Sequence, residues 1–406
     1  VSSIALQLVT LPVMLKFFGE VSLAGFFLNL LVLPSVGFVL MGGMAALLLG
    51  IFSISAAKLV ILPARGLLLF YEYLCSLAGK LRWSTWIGGE PEIWQILVYY
   101  VFLITVLFMG QYIKEPMRRE QEAGMKSELS SRDKRIPGKI QRKLRTVRVA
   151  AGALMITGIL ILGFHPAGDL KVTCLDVGQG DGICIRMPGG KNCLIDGGSS
   201  DVSSVGAYRI EPYLLYCGIR NIDYAFVSHG DEDHISGIRE LLQDQKLGIG
   251  IRTLVLPAEK YWDEKLKELA VLAAENGTRI AEIHAGEQVV DGTGEQKMSL
   301  RCIGPEMVLS ESGNAASMVL QAEYGNFSML LTGDVEGAGE KQLVKSGRLG
   351  KCRILKAAHH GSKNSGTEEF LDAVEPQIVL ISAGRGNRYG HPHEETLERL
   401  KSRNCQ

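Results

Sequence analysis

No Cys-x-x-Cys pair occurs among the eight cysteines (Cys75, Cys174, Cys184, Cys193, Cys217, Cys302, Cys352 and Cys405), and none of their spacings suggests a zinc ribbon. Most lie in apolar, strand-like runs, so they read as small buried hydrophobes rather than as disulfide or metal partners. The chain also lacks internal repeats and low-complexity tracts, which leaves out solenoid arrays. No basic flank leads into a short apolar core with a small-residue cleavage site, so a secretory signal peptide is not expected. The first residue is Val rather than Met, and the sequence reads as the C-terminal part of something longer.

Charge is scarce in the first third. The chain has 406 residues and is 47% apolar, room for two or three domains, but the apolar residues are unevenly spread. Val21 to Ile54 is almost wholly apolar or small, and Ile93 to Tyr112 and Val149 to Phe164 are two further runs. Each comes near the roughly 20 residues a helix needs to cross hydrocarbon. Pro12, Pro34 and Pro63, with Gly37, Gly42, Gly43 and Gly50, break these runs, and Lys58, Arg65 and Glu72 fall inside an apolar stretch. Such charges either line a watery cavity, as in a pore or re-entrant segment, or snorkel from interfacial helices. Residues 114–148 reverse the composition, with Lys and Arg far in excess of Asp and Glu. A short loop this basic is expected on the cytoplasmic side, where it can also meet anionic lipid. The expected plan is a membrane region over 1–113, a basic loop over 114–148, a span over 149–165 leading outward, and an extracytoplasmic domain over 168–406.

That last part alternates short strand candidates (for example 170–175, 192–195, 224–227, 327–331 and 353–356) with helical periodicities (210–217, 235–243, 263–275, 339–345, 367–374 and 394–401). Polar motifs follow the strands. They are DVGQGD (176–181), DGG (196–198), HGDEDH (229–234), TGD (332–334) and AHHGS (358–362). A single Asp at a strand end is ordinarily a turn former or a cap. Five in succession, two of them rich in imidazole, place donors of metal lone pairs on a rigid support.

The order HGDEDH, TGD, HHGS resembles the metallo-β-lactamase hydrolase pattern. DVGQGD, LIDGG (194–198) and NRYGHPH (387–393) narrow the resemblance to the ComEC family of DNA-uptake channel proteins, and Phe17 to Pro34 looks like the core of that family's transmembrane competence domain. The implied fold is an α-helical multi-pass membrane region followed by an α/β metallo-β-lactamase-like four-layer αββα domain. The resemblance covers nearly the whole chain apart from the basic loop.

Carried over residue by residue, it implies metal ligation by His229, Asp231, Asp233, His234, Asp334 and His360, with Asp233 and His234 also catalytic. His359 competes with His360 for the last place, which goes to His360 because Gly361 follows it. Asp231 stands where the superfamily has His, and the His expected just before 317–320 is replaced by Asn314 or Ser317, with His284 in the wrong segment. Oxygen donors in place of imidazole shift preference from Zn²⁺ toward Mn²⁺ or Mg²⁺. One or two divalent ions, Zn or Mn first, are therefore expected, and a pair roughly 3.5–4 Å apart suits phosphoryl displacement, with Asp233 orienting the nucleophile. Asp176, Gln179, Asp181 and Asp196 read as orienters behind the ligands, or as parts of a turn that needs positive φ. His359, Lys363, Arg388, His391 and His393, with Lys356 and Arg385, are candidate phosphate contacts.

The resemblance implies a channel passing single-stranded DNA inward, a hydrolase domain degrading the other strand, and partners comprising DNA, the lipid membrane and other competence-machinery proteins. A DNA-binding gate with a weakened metal site, or a membrane-tethered phosphodiesterase for non-DNA substrates, are the rival expectations.

Overall fold

The computed structural model describes residues 2–81, 83–126, 138–166, 168–243, 249–292, 297–307, 309 and 312–406. The middle of the basic loop, including Arg132, Lys134 and Arg135, lies outside the described residues. The chain divides into two compact units, residues 1–165 with 215–218, and residues 166–214 with 219–406.

The first unit contains α1 (Ser2–Phe18), β1 (Glu20–Ser22), α2 (Leu23–Gly50), α3 (Ile54–Gly79), β2 (Thr85–Ile87), α4 (Ile93–Lys126) and α5 (Gly138–Leu162). Among the described residues, four stretches are long and apolar enough to cross a membrane: Leu23–Gly50, Ile54–Gly79, Ile93–Gln111 and Leu144–Leu162. The prolines do not break the runs as the sequence suggested. Pro12, Pro34 and Pro63 lie inside α1, α2 and α3. Within an apolar helix a neighbouring hydroxyl can serve a carbonyl in the disturbed turn, and Ser35 Oγ donates to Leu31 O at 2.6 Å, beside Pro34. Ser22 and Ser53 cap α2 and α3 by accepting from Gly25 N and Ala56 N. Lys58, Arg65 and Glu72 recur every seven residues on α3, hence on one stripe, and all three are exposed. A small core of Leu11, Leu15, Tyr99, Leu103 and Leu162 ties α1, α4 and α5 together. Tyr99 Oη donates to Leu8 O at 2.7 Å.

The second unit has two six-stranded sheets. Its elements are β3 (Lys171–Cys174), β4 (Ile183–Arg186), β5 (Asn192–Ile195), α6 (Glu211–Tyr216), β6 (Asn221–Phe226), α7 (Glu232–Gln243), β7 (Gly250–Leu256), α8 (Glu264–Glu275), β8 (Arg279–Glu282), β9 (Gln288–Asp291), β10 (Met298–Gly304), β11 (Val319–Tyr324), β12 (Phe327–Leu331), α9 (Gly337–Ser346), β13 (Ile354–Lys356), α10 (Glu368–Val374), β14 (Ile378–Leu380) and α11 (Glu394–Ser402). One sheet runs β3-β4-β5-β6-β7-β8 and the other β14-β13-β12-β11-β10-β9. In the first, β5 to β8 are parallel. In the second, β12, β13 and β14 are parallel and the rest antiparallel.

Strand alternation explains the layering. Ile183, Ile185, Cys193, Ile195 and Phe226 of one sheet meet Met298, Leu300, Cys302, Leu320, Met329 and Leu331 of the other in a shared core. Val319, Leu330 and Leu355 point the opposite way and pack against Leu343, Phe370, Leu371, Val374 and Leu400 from α9, α10 and α11. On the outer side of the first sheet α7 and α8 pack on β7. The result is the expected αββα four-layer arrangement. Three strands absent from the sequence reading, β8, β9 and β10, extend the far sides of the two sheets.

Candidate metal centre

Donor-bearing loops follow the carboxyl ends of β5, β6, β12 and β13, where parallel strands deliver their loops to one side. Asp196 follows β5 with φ +53°. Ser228 and His229 follow β6, and Asp231 leads into the first turn of α7, which carries Asp233 and His234. Asp334 follows β12. Lys356 ends β13, and His359 and His360 come next with φ of +48° and +54°. Left-handed backbone at bulky residues costs on the order of 1–3 kcal/mol each and persists only where the surroundings impose it.

Backbone hydrogen bonds lace the loops together: Gly197 N to His234 O at 2.8 Å, Gly198 N to Asp181 O at 3.0 Å, and Asp181 N to Asp233 O at 3.0 Å. Glycine is required at 198, because a Cβ there would meet Glu232 O and His234 N at 2.4 Å.

The donors face one another. His234 Nε2 lies 3.2 Å from Asp334 Oδ1, and His360 Nε2 lies 3.4 Å from Asp334 Oδ2 and 3.5 Å from Asp233 Oδ2. His229 Nε2 is 3.5 Å from Asp231 Oδ2. Each ring is anchored through its other nitrogen: His234 Nδ1 to Asp196 Oδ2 at 2.9 Å, His360 Nδ1 to Ser382 O at 2.9 Å, and His229 Nδ1 to Ser228 Oγ at 3.0 Å. This is the way metal-binding imidazoles are held.

The Nε2 atoms of His229, His234 and His360, with Asp334 Oδ1 and Asp181 Oδ1, are buried without a hydrogen-bond partner. A buried polar atom left unpaired costs about 1–3 kcal/mol, and these five are grouped. Among the described residues, four donor sets could hold a metal: His229, His234 and Asp334; Asp233, His234 and His360; Asp181, Asp196 and His234; and Asp181, Asp334 and His360. The residues therefore fit a divalent cation.

Electrostatics point the same way. The buried ammonium of Lys356 pairs with Asp181 and lies 4.0 Å from Asp334, while the half-exposed Asp231 has its own cation in Lys265, 3.8 Å away. Burial alone would raise Asp181, but Lys356 and His360 outweigh it and hold the carboxyl well below the usual range. Burial likewise works against the charged form of Asp334, which His234 and His360 overcome, leaving it well below the usual range. Burial would lower His360, yet Asp334 and Asp181 push it up to about 9. His234 is raised in the same way, Asp334 and Asp196 overcoming burial. The carboxylates beside His234 and His360 thus favour the charged forms of these two rings, as they would favour a bound cation.

Not every residue singled out from the sequence joins the cluster. Asp176 is exposed and pairs with Arg209 at 3.8 Å. Gln179 staples the 176–181 loop to another, its Oε1 accepting from Gly384 N at 3.0 Å. Its flanking glycines have φ of +78° and +157°, so here the turn reading holds. Asp181 lies deeper than an orienter, within the donor sets themselves. Lys356 is 2% exposed and is no surface phosphate contact. His359 turns to Glu336, its Nδ1 lying 2.9 Å from Oε2, while its Nε2 stays 3.8 Å from Asp334 Oδ2. Ser317 Oγ lies 3.4 Å from His229 Nδ1. His284 is remote, beside Glu282. His391 stands at the margin, its ring centre 5.3 Å from that of His359 and 6.1 Å from that of His360. Burial and the neighbouring His359 and His360 hold it down to about 4, so it is neutral at pH 7. His393 Nδ1 accepts from Lys363 N at 3.2 Å, and Lys363, Arg385 and Arg388 are exposed. Sequence reasoning did not find Ser228, Glu336 or Ser382, whose only signal is proximity in space.

A two-sheet sandwich with helices outside and convergent His and Asp donors at its strand ends defines a metallo-β-lactamase-type domain, and the superfamily profile matches residues 175–385. The chain belongs to the metallo-β-lactamase superfamily through this half. Residues 1–112 match the profile described as Competence protein, and the two together place the chain in the ComEC family of competence proteins. It is 27% identical to ComE operon protein 3 of Bacillus subtilis over 98% of this chain and 49% of that protein. It is 32% identical to Recombination protein 2 of Haemophilus influenzae over 57% of this chain and 26% of that protein. The chain thus spans about half or less of the length of these relatives. Among solved structures it is similar to the metallo-β-lactamase fold protein YhfI from Bacillus subtilis, with 13% identity, TM-score 0.38, and coverage of 56% of this chain and 92% of that one.

Proposed function

We propose that the chain is part of a DNA-uptake channel protein whose second unit is a metal-dependent phosphodiesterase degrading the strand that is not imported. The observation that carries the hydrolase reading is the group of five orphaned buried donors, three imidazole nitrogens and two carboxylate oxygens, in a setting short of positive charge. Asp233, His234, His360 and Asp334 would hold one cation. His229 and Asp231 offer a second place poorer in nitrogen, with the Ser317 hydroxyl beside His229. Zn²⁺ or Mn²⁺ suits this mixed donor set, and when bound it supplies a Lewis acid for a phosphoryl oxygen. Asp233 orients the attacking water, His391 meets the phosphate as a neutral hydrogen-bond donor, and His359, Lys363, Arg388 and His393 face the diester.

The channel reading is supported by the competence match and by the Lys58, Arg65, Glu72 stripe, since charge across an apolar helix belongs against protein or water rather than lipid. The basic 114–148 segment supports a cytoplasmic loop and an extracytoplasmic second unit. Protease added to spheroplasts is then expected to cut the second unit and to spare the loop; cleavage in the opposite sense overturns the orientation.

The direct test incubates the full chain in micelles with Mn²⁺, Zn²⁺ or Mg²⁺ and labelled single- and double-stranded DNA. Cleavage is expected, with Asp233→Ala reducing it by about 10²–10⁴. Retention of DNA without cleavage would favour the gate, and turnover of a small diester alone would favour a non-DNA substrate.

A further inference from the structure

The loop that closes one side of the metal centre carries an exposed aromatic ring on an unusually well-fixed backbone. Asn387 holds this loop from within: its Nδ2 donates to Gly384 O at 2.9 Å and to His391 O at 2.6 Å. Its Oδ1 accepts from Tyr389 N at 3.1 Å and His391 N at 3.0 Å. Gln179 fixes the loop's start through Gly384 N, and His393 N donates to Gly361 O at 3.0 Å at its end. On this frame Tyr389 is 42% exposed. Its ring lies nearly parallel to His391, with centres 5.7 Å apart and 21° between planes. Arg388 Nη2 donates to Tyr389 Oη at 2.6 Å, and its guanidinium carbon is 4.8 Å from the ring centre. His391 in turn adjoins His360, a candidate ligand.

An exposed Tyr ring usually buries its apolar face or swings freely. This one is held against His391 and Arg388 by a backbone tied down on both sides, so the part of the ring that stays exposed keeps a fixed direction. A flat, preoriented π-surface with a guanidinium lying over part of it and bonded to its hydroxyl is chemistry that can receive a nucleobase: stacking is indifferent to base identity, and the Arg can serve the adjoining phosphate. A base within a duplex already has both faces covered by its neighbours, so only an unpaired or flipped-out base can use such a surface.

We infer that Tyr389, with Arg388 and His391, is a stacking platform that binds a base next to the phosphate in the metal centre and makes unpaired DNA the preferred substrate. The inference rests on the nucleic-acid reading above, and Tyr389 acts in it as a specificity-determining residue.

The test reads binding separately from hydrolysis. The full chain in micelles is titrated with a cleavage-resistant phosphorothioate single strand carrying 2-aminopurine, whose emission falls on stacking, with the same strand annealed to its complement, and with a fully abasic strand. The wild-type chain is expected to quench the single strand and to bind it more tightly than the duplex. Tyr389→Leu should weaken single-strand binding roughly tenfold and abolish the quench. Tyr389→Phe and Tyr389→Trp should keep both, and the abasic strand should bind wild type and Tyr389→Leu alike. Unchanged single-strand binding by Tyr389→Leu, equal weakening on the abasic strand, or no DNA binding at all overturns the inference. A Tyr389-dependent quench with no cleavage of ordinary DNA supports the platform while overturning the hydrolase. Cleavage of single strands at wild-type rate by Tyr389→Leu does the reverse.

Discussion

A Lys356→Met variant is expected to loosen the strand ends around the centre by about 3–5 kcal/mol, the cost of stranding one member of a buried ion pair. Lys356 is wholly enclosed and its ammonium touches Asp181, approaches Asp334 and donates to Gly333 O at 3.4 Å. Methionine fills the same volume but leaves Asp181 charged, buried and facing Asp334. The measurement is hydrogen exchange of the backbone amides of residues 193–197 and 329–332 in the metal-free full chain. These amides should exchange several hundredfold faster or more in the variant. The double variant Lys356→Met, Asp181→Asn removes both charges and should recover most of the protection. If the single variant exchanges like wild type, the ammonium does not hold these carboxylates.

The same residue shows where sequence legibility stops. A Lys at the end of a β-strand, a few residues from HHGS, carries no mark of being buried; that depends on Asp181 arriving from a loop 175 residues earlier in the chain. By contrast, HGDEDH was readable because its candidate donors are local: a strand ends, a helix begins, and the carboxylates of its first turn also suit the helix dipole. The preference for His360 over His359 leans on Gly361, whose φ of +82° and whose Cα packed against Pro392 leave no room for a Cβ. Asp176 was misread because DVGQGD looks like one acidic motif. The glycine turns at 178 and 180 send Asp181 inward and leave Asp176 in solvent. In the apolar third, hydropathy located the spans, but proline was given too much weight, since in α2 and α3 the helix continues through it. Strands β8, β9 and β10 escaped because two are short and partly exposed, so neither an apolar run nor a clean alternation marks them.

His360→Ala should abolish hydrolysis, by at least about 10³, and should remove most bound metal, whereas His359→Ala should keep the metal and lose much less activity. The asymmetry follows from where the two rings point. His360 Nε2 is buried without a partner between Asp233 and Asp334, while His359 is engaged by Glu336 and stays part-exposed. Metal content of the purified chain and single-turnover cleavage read the two effects separately. Binding should also release protons. His360, held near 9, and His234, raised likewise, are protonated at neutral pH in the metal-free chain, and a cation needs their neutral forms. Affinity should therefore rise with pH from about 6 toward 9, by up to about tenfold per unit for each proton displaced. Calorimetry in buffers of different ionisation enthalpy counts those protons. If His359→Ala loses the metal and His360→Ala keeps it, or if affinity is flat across this range, the assignment of His360 and the charge balance built on it are wrong together.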